Sequence, residues 1–214
     1  MNVVFEHAGE FGEGILRTLQ LAGSSFAGAA VVAIVIVCCR VAPVRPLRAF
    51  GTAYVELFQN IPLLVWIILF VFGLPEIGIQ FDLITTAVIA IALYQGAYYA
   101  EALRTGINTV ASGQAEAARA LGLGFRQSLA QVILPQALRS VIQPLGNLTI
   151  MLLMNTALAA AAGVVELAAS ASRVNNVESD PIVIFTAAGV AYGLLALLIS
   201  TVFGVLERRL VIHR

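Results

Sequence analysis

Between Glu116 and Pro135 the chain reads EAARALGLGFRQSLAQVILP, a polar and amphipathic stretch in an otherwise apolar sequence. Glu116 and Arg119 stand three residues apart on one helical face, where both can offer charge-assisted hydrogen bonds, and Ala117, Ala120 and Leu121 share another. Gly122 or Gly124 can supply the left-handed residue that ends such a helix. Phe125, Leu129, Val132 and Ile133 then form a second stripe, which Pro135 is expected to interrupt. This is equipment for docking, on lipid headgroups or on a protein, and not for making bonds. A second set, Gln59, Asn60, Tyr94, Gln95, Tyr98, Asn155 and Thr156, lies inside apolar runs. Polar groups there either line a pathway or bond one helix to another.

Catalytic chemistry finds little to work with. All twelve cations are arginine, so neither a phosphate-loop lysine nor a Schiff-base lysine exists. His7 and His213 sit at opposite ends of the chain, and the adjacent Cys38 and Cys39 can complete neither an ordinary disulfide nor a metal site. Zero net charge and the lack of a basic tract argue against nucleic acid as a partner. The expectation is a non-catalytic chain with no metal.

The elements that must position these residues are membrane spans. Hydrophobic residues make up 60% of the chain, charged residues 11%, and the mean hydropathy is +0.94. The acidic start, with Glu6, Glu10 and Glu13, lacks the features of a secretory signal and reads as mature. Apolar runs long enough for a bilayer predict five spans, at about 15–39, 50–72, 83–102, 141–163 and 182–206, within a single all-α integral membrane domain covering 1–214. Pro62 is expected to kink the second span. Arg40, Arg45, Arg48, Arg104, Arg119, Arg126, Arg139, Arg208, Arg209 and Arg214 fall on one side of this arrangement, and Arg17 and Arg173 on the other. Arginine enrichment marks the cytoplasmic side, so the N-terminus lies outside and the C-terminus inside. Glu56 and Glu101 near the cytoplasmic face are expected to pair with arginines.

The spacing Glu116-Ala117-Ala118, three residues, Gly122, nine residues, Val132-Ile133-Leu134-Pro135 resembles the EAA signature of ABC-importer permeases. Ala53 to Pro75, Gly96 to Val110, Gly113 to Phe125 and Val132 to Asn147 are similar to the polar amino-acid uptake branch, most of all to glutamate-type permeases of actinobacteria. The resemblance implies a type I importer fold with a cytoplasmic coupling helix between spans three and four, within about 112–135. It implies that Glu116, Ala117, Ala118, Arg119, Gly122, Leu134 and Pro135 dock on the ATPase. It also implies two copies of that ATPase holding ATP and Mg, with no cofactor on this chain. A second permease, itself or a sister chain, and an extracellular or periplasmic amino-acid-binding protein complete the assembly in a bacterial plasma membrane.

Where many such relatives carry a Lys-Asp-Thr-Ser-Leu-like run, this chain has Met154-Asn155-Thr156-Ala157-Leu158. Loss of the carboxylate favours glutamate or glutamine over arginine as cargo. A self-contained channel or secondary transporter would call for ionisable residues in the spans or an inverted repeat, and neither is visible in the sequence.

Overall fold

In a membrane every backbone polar group must be satisfied within the protein, and this chain meets that constraint with helices. The computed structural model describes residues 2–210, over which no strand occurs. His213 and Arg214 lie outside the described residues. The helices are α1 (Asn2–Glu6), α2 (Ala8–Val41), α3 (Arg45–Asn60), α4 (Leu63–Glu76), α5 (Leu83–Thr109), α6 (Ser112–Ala120), α7 (125–162), α8 (Leu167–Glu178) and α9 (Pro181–Leu210). Four of them, α2, α5, α7 and α9, are long and apolar enough to cross a bilayer. The α3–α4 pair makes a fifth crossing only if both halves count as one.

That pair corrects the expected second span. Ile61, held extended by the proline that follows it, and Pro62 separate two helices bent by 100°. Asn60 donates from its side chain to the Glu56 carbonyl at 2.7 Å, within the last turn of α3. Phe58 stacks on Trp66 across the break at 4.5 Å between centroids, which fixes the bend with aromatic area.

The core is the pairing of α2 with α5. Ala29 and Ala33 of α2 and Ala97 and Ala100 of α5 are all buried in one apolar cluster, and small residues of this kind let two backbones run close. At Gly96 a Cβ would lie 2.6 Å from Val32 Cγ1 and 3.3 Å from the Ala29 carbonyl oxygen, so no larger residue fits. An ionic tie joins the two helices at one end of this seam, and polar bonds join α2 to the start of α8 at the other. At one end Arg40 of α2 donates to Glu101 of α5, which also accepts from Arg104 Nε at 3.2 Å. At the other, Thr18 of α2 donates to Glu166 at 3.3 Å and accepts the Leu167 amide at 3.1 Å.

Glu166 is the largest departure from expectation. The sequence places it among acids of a polar outer loop, yet it is fully buried, capping the 12-residue α8 through the Ala169 amide and accepting from Tyr192 of α9. Three elements converge on one carboxylate. Glu56, by contrast, is exposed and forms no ion pair among the described residues.

Two substitutions test this reading. Gly96→Leu should destabilise by about 2 kcal/mol or more through overpacking, whereas Gly23→Leu, into open space, should leave the unfolding temperature in detergent nearly unchanged. Glu166→Ala should cost about 1–3 kcal/mol by orphaning buried donors, with Glu166→Gln costing less, both read from thermal unfolding.

Candidate functional site

The stretch that opened the sequence folds into a lever-shaped unit, the short helix α6 turned back on the start of the long helix α7. Helix α6 ends at Gly122, whose φ of +80° only glycine adopts readily. The Gly122 amide donates to the Arg119 carbonyl at 2.9 Å and the Leu123 amide to the Ala118 carbonyl at 3.1 Å, the paired bonds that reverse a chain at a helix end. Gly124 then donates its amide to Gln127 Oε1 at 3.0 Å, starting α7 at once. The connection expected between Arg104 and Arg139 is therefore mostly helix. Thr109 ends α5, and α7 is under way from residue 125.

Orientation divides the residues assigned to docking. Glu116, Ala117, Arg119 and Gly122 are exposed, and Leu121, a large apolar residue, is 81% exposed. Ala118 is 3% exposed, which corrects its assignment as a docking contact. It faces inward, and α6 rests on the first turns of α7. Gln136 Nε2 reaches Gln114 Oε1 at 3.4 Å across that contact. Leu134 is 40% exposed and Pro135 half-buried. The side chain of Phe125, assigned to the anchoring stripe, lies outside the described set.

Pro135 does not interrupt α7. The turn Ser128–Ile133 is widened, and the Leu134 amide donates five residues back, to the Leu129 carbonyl. Widening makes room for the proline ring, which would otherwise meet the carbonyl four residues earlier. The same device, Leu69–Gly73, precedes Pro75. Thus α7 passes from the lever to Ala162 without a break, tightening over Thr156–Ala162.

Where α7 crosses α5 a cavity of about 430 Å³ opens, lined by Gln59, Tyr98, Glu101, Thr105, Thr109 and Ser140 among others. Gly106 permits the crossing, since a Cβ there would lie 2.9 Å from the Ala137 carbonyl oxygen. Pro144, also in the wall, leaves the Ser140 carbonyl without its helical donor. Hydroxyls, an amide and a carboxylate with its arginines surround the space, and no histidine, cysteine and acid cluster suited to a metal occurs among the described residues.

Of the residues singled out in apolar runs, the fold brings Gln59 and Tyr98 into this cavity. Gln59 donates to the Ala97 carbonyl at 3.4 Å, and the Tyr98 hydroxyl lies 3.1 Å from that of Tyr94. The others are elsewhere. Gln95 is buried and donates to the Leu148 carbonyl at 2.8 Å, Thr156 is buried and donates to the Leu153 carbonyl at 2.7 Å, and Asn60 closes its own helix. Asn155 is half-buried beside Thr156. Sequence reasoning missed Thr105, Thr109 and Ser140. The signal was present: 98, 101, 105 and 109 recur at helical spacing and mark one polar face.

With this geometry in hand, comparison with known proteins becomes informative. The pattern of the family described as binding-protein-dependent transport system inner membrane component matches residues 29–212. A probable glutamine ABC transporter permease protein of Bacillus subtilis (strain 168) is 33% identical over 210 residues, covering 98% of this chain and 97% of that one. A glutamate transport system permease protein of Corynebacterium efficiens is 36% identical over 210 residues, 92% of each chain. Among solved structures, an amino acid ABC transporter crystallised with histidines superposes with a TM-score of 0.90 at 28% identity over 96% of each chain. A multi-pass helical membrane chain with a continuous lever, matched over nearly its whole length, belongs to the family of binding-protein-dependent transport system inner membrane components.

Proposed function

We propose that this chain is the permease subunit of an ATP-binding-cassette importer that carries a polar amino acid, glutamate in the first place, into the cell. One observation carries the reading. The exposed face of α6 is locked by the Gly122 turn to a helix that continues without a break into the wall of the inner cavity. Force applied to Glu116, Arg119 and Leu121 therefore reaches Ser140 and Pro144 through covalent helix. The ATPase that supplies it is a separate subunit, two copies of which hold the nucleotide and Mg, because this chain has no lysine for a phosphate loop. Their closure drives the lever and rocks α7 against α5, alternating the cavity between the two sides. A second permease and an outer binding protein complete the pathway.

Glutamate rests on the similarity to a glutamate permease. Gln59, Tyr98 and Thr105 offer donors to a carboxylate within the cavity, and Glu101 is occupied by its arginines.

Leu121→Asp should weaken association with the ATPase by about 30-fold or more, as for an apolar anchor lost from the centre of an interface, and abolish ATP-driven uptake in proteoliposomes without lowering the permease's unfolding temperature. Gly122→Val should act similarly through the strained turn. Retention of association and uptake by both variants contradicts the docking assignment. Competition of labelled glutamate uptake should rank glutamate above glutamine and aspartate, with arginine weakest; arginine ranked first overturns the cargo.

A further inference from the structure

We propose that the concavity at the outer end of the bundle is a second ligand site, one that takes the carboxylates of a free dicarboxylic amino acid through Arg17 and Arg173. The sequence puts only these two of its twelve arginines on the outer side. The fold brings both to one cavity of about 500 Å³, between the start of α2, the start of α5 and the first turns of α8. It lies at the opposite end of α2 and α5 from the Arg40–Glu101 tie and shares no lining residue with the inner cavity.

Three acids also line it, and their commitments decide its character. Glu10 accepts from His7 Nδ1 at 2.7 Å, and His7 Nε2 is bonded in turn to Glu178 at 3.1 Å. Asp82 caps α5, accepting the Thr85 amide at 3.0 Å, and bonds from the Thr85 hydroxyl and amide hold its carboxyl below the ordinary range. Both acids keep their charge, but each bonds to groups other than an arginine. Glu13 stands 3.9 Å from Arg17, too far for a hydrogen bond, and both side chains are well exposed. The lining thus carries three carboxylates and two guanidiniums; Arg173 has no ion-pair partner among the described residues and Arg17 has only the distant Glu13.

A guanidinium presents a planar fork matched to a carboxylate, and two of them in one concavity match a molecule with two carboxylates. Glu13 is then released to meet its ammonium group. The nearly buried Ser170 hydroxyl lies in the floor. This inference rests on the amino-acid permease reading for its ligand class, and adds a recognition step ahead of the inner cavity. It implies that the permease itself discriminates dicarboxylic from monocarboxylic amino acids before transport.

The test is equilibrium binding of labelled glutamate to the assembled permease–ATPase complex in nanodiscs, without nucleotide and without binding protein. Binding should be displaced by glutarate, the dicarboxylate lacking the ammonium group, and only weakly by glutamine. Arg17→Gln and Arg173→Gln should each weaken the glutarate-displaceable binding about tenfold, as loss of one charge-assisted pair requires, and the double variant should abolish that fraction. Arg17→Lys and Arg173→Lys should recover part of it, and unchanged unfolding temperatures should show that the variants fold. ATP-driven glutamate uptake by the unaltered complex separates the two readings. Intact uptake with binding absent, or present but insensitive to both arginines, overturns this site and leaves the permease assignment standing. Variants that lose affinity for the binding protein while free glutamate binds normally also overturn it, because the arginines then serve a protein surface. Failure of uptake in the unaltered complex counts against the permease reading.

Discussion

Everything in this bundle depends on how closely α2 and α5 approach. Lipid offers apolar side chains no reason to associate, so the helices are held by packing and by polar ties. Small residues let the backbones come together along the middle of the seam, and at Gly96 the contact leaves no space for a methyl group. The ends cannot rely on packing alone. Arg40 and Arg104 neutralise Glu101 at one end, and hydroxyl and amide donors satisfy Glu166 at the other. Removing Glu166 leaves buried donors without their acceptor, whereas the Glu101 set is partly exposed and partly screened by solvent. Close packing and the Glu101 tie thus hold α2 to α5, while Glu166 joins α2 to α8 and α9.

The lever gains its stiffness from features that look like defects. Pro135 and Pro144 lie within one long helix, and a proline in a helix interior ordinarily bends or ends it. The widened turn before Pro135 absorbs the first, and the second leaves a free carbonyl at the wall of the cavity, where a polar group has a use. The break at Pro62 follows the opposite course. No widened turn precedes it, Ile61 is extended, and the chain turns through 100° to bring Gln59 against α5.

The long apolar runs of α2, α5, α7 and α9 were legible because length and hydropathy mark any helix that must lie in a bilayer. The EAA spacing was equally plain, and a glycine turn at Gly122 or Gly124 was expected because few other residues take a positive φ; the structure gives it to Gly122. What escaped was whatever depends on rotation or on partners distant in sequence. Ala118 and Ala117 differ by one position, yet only the packed structure tells which of them faces α7. Glu166 reads as a loop acid because Thr18 and Tyr192, which bury it, lie far away in the chain. The polar face of Thr105 and Thr109 was taken for the start of a loop, because charges at Glu101 and Arg104 mimic a membrane boundary when their pairing is unseen. Among the polar residues in apolar runs, Gln95 and Thr156 could not be told from pathway groups until their acceptors were visible.

The central claim is that lever and cavity wall are one mechanical piece. Spin labels at Ala120→Cys on α6 and Met154→Cys deep in α7, both at exposed positions and with Cys38 and Cys39 replaced by serine, measure this directly. In the assembled transporter, the distance between the labels should stay the same with and without ATP, while the distance from Ala120→Cys to a label on α3 changes. A nucleotide-dependent change between 120 and 154 would mean that the lever flexes before it reaches the cavity, and would contradict the account.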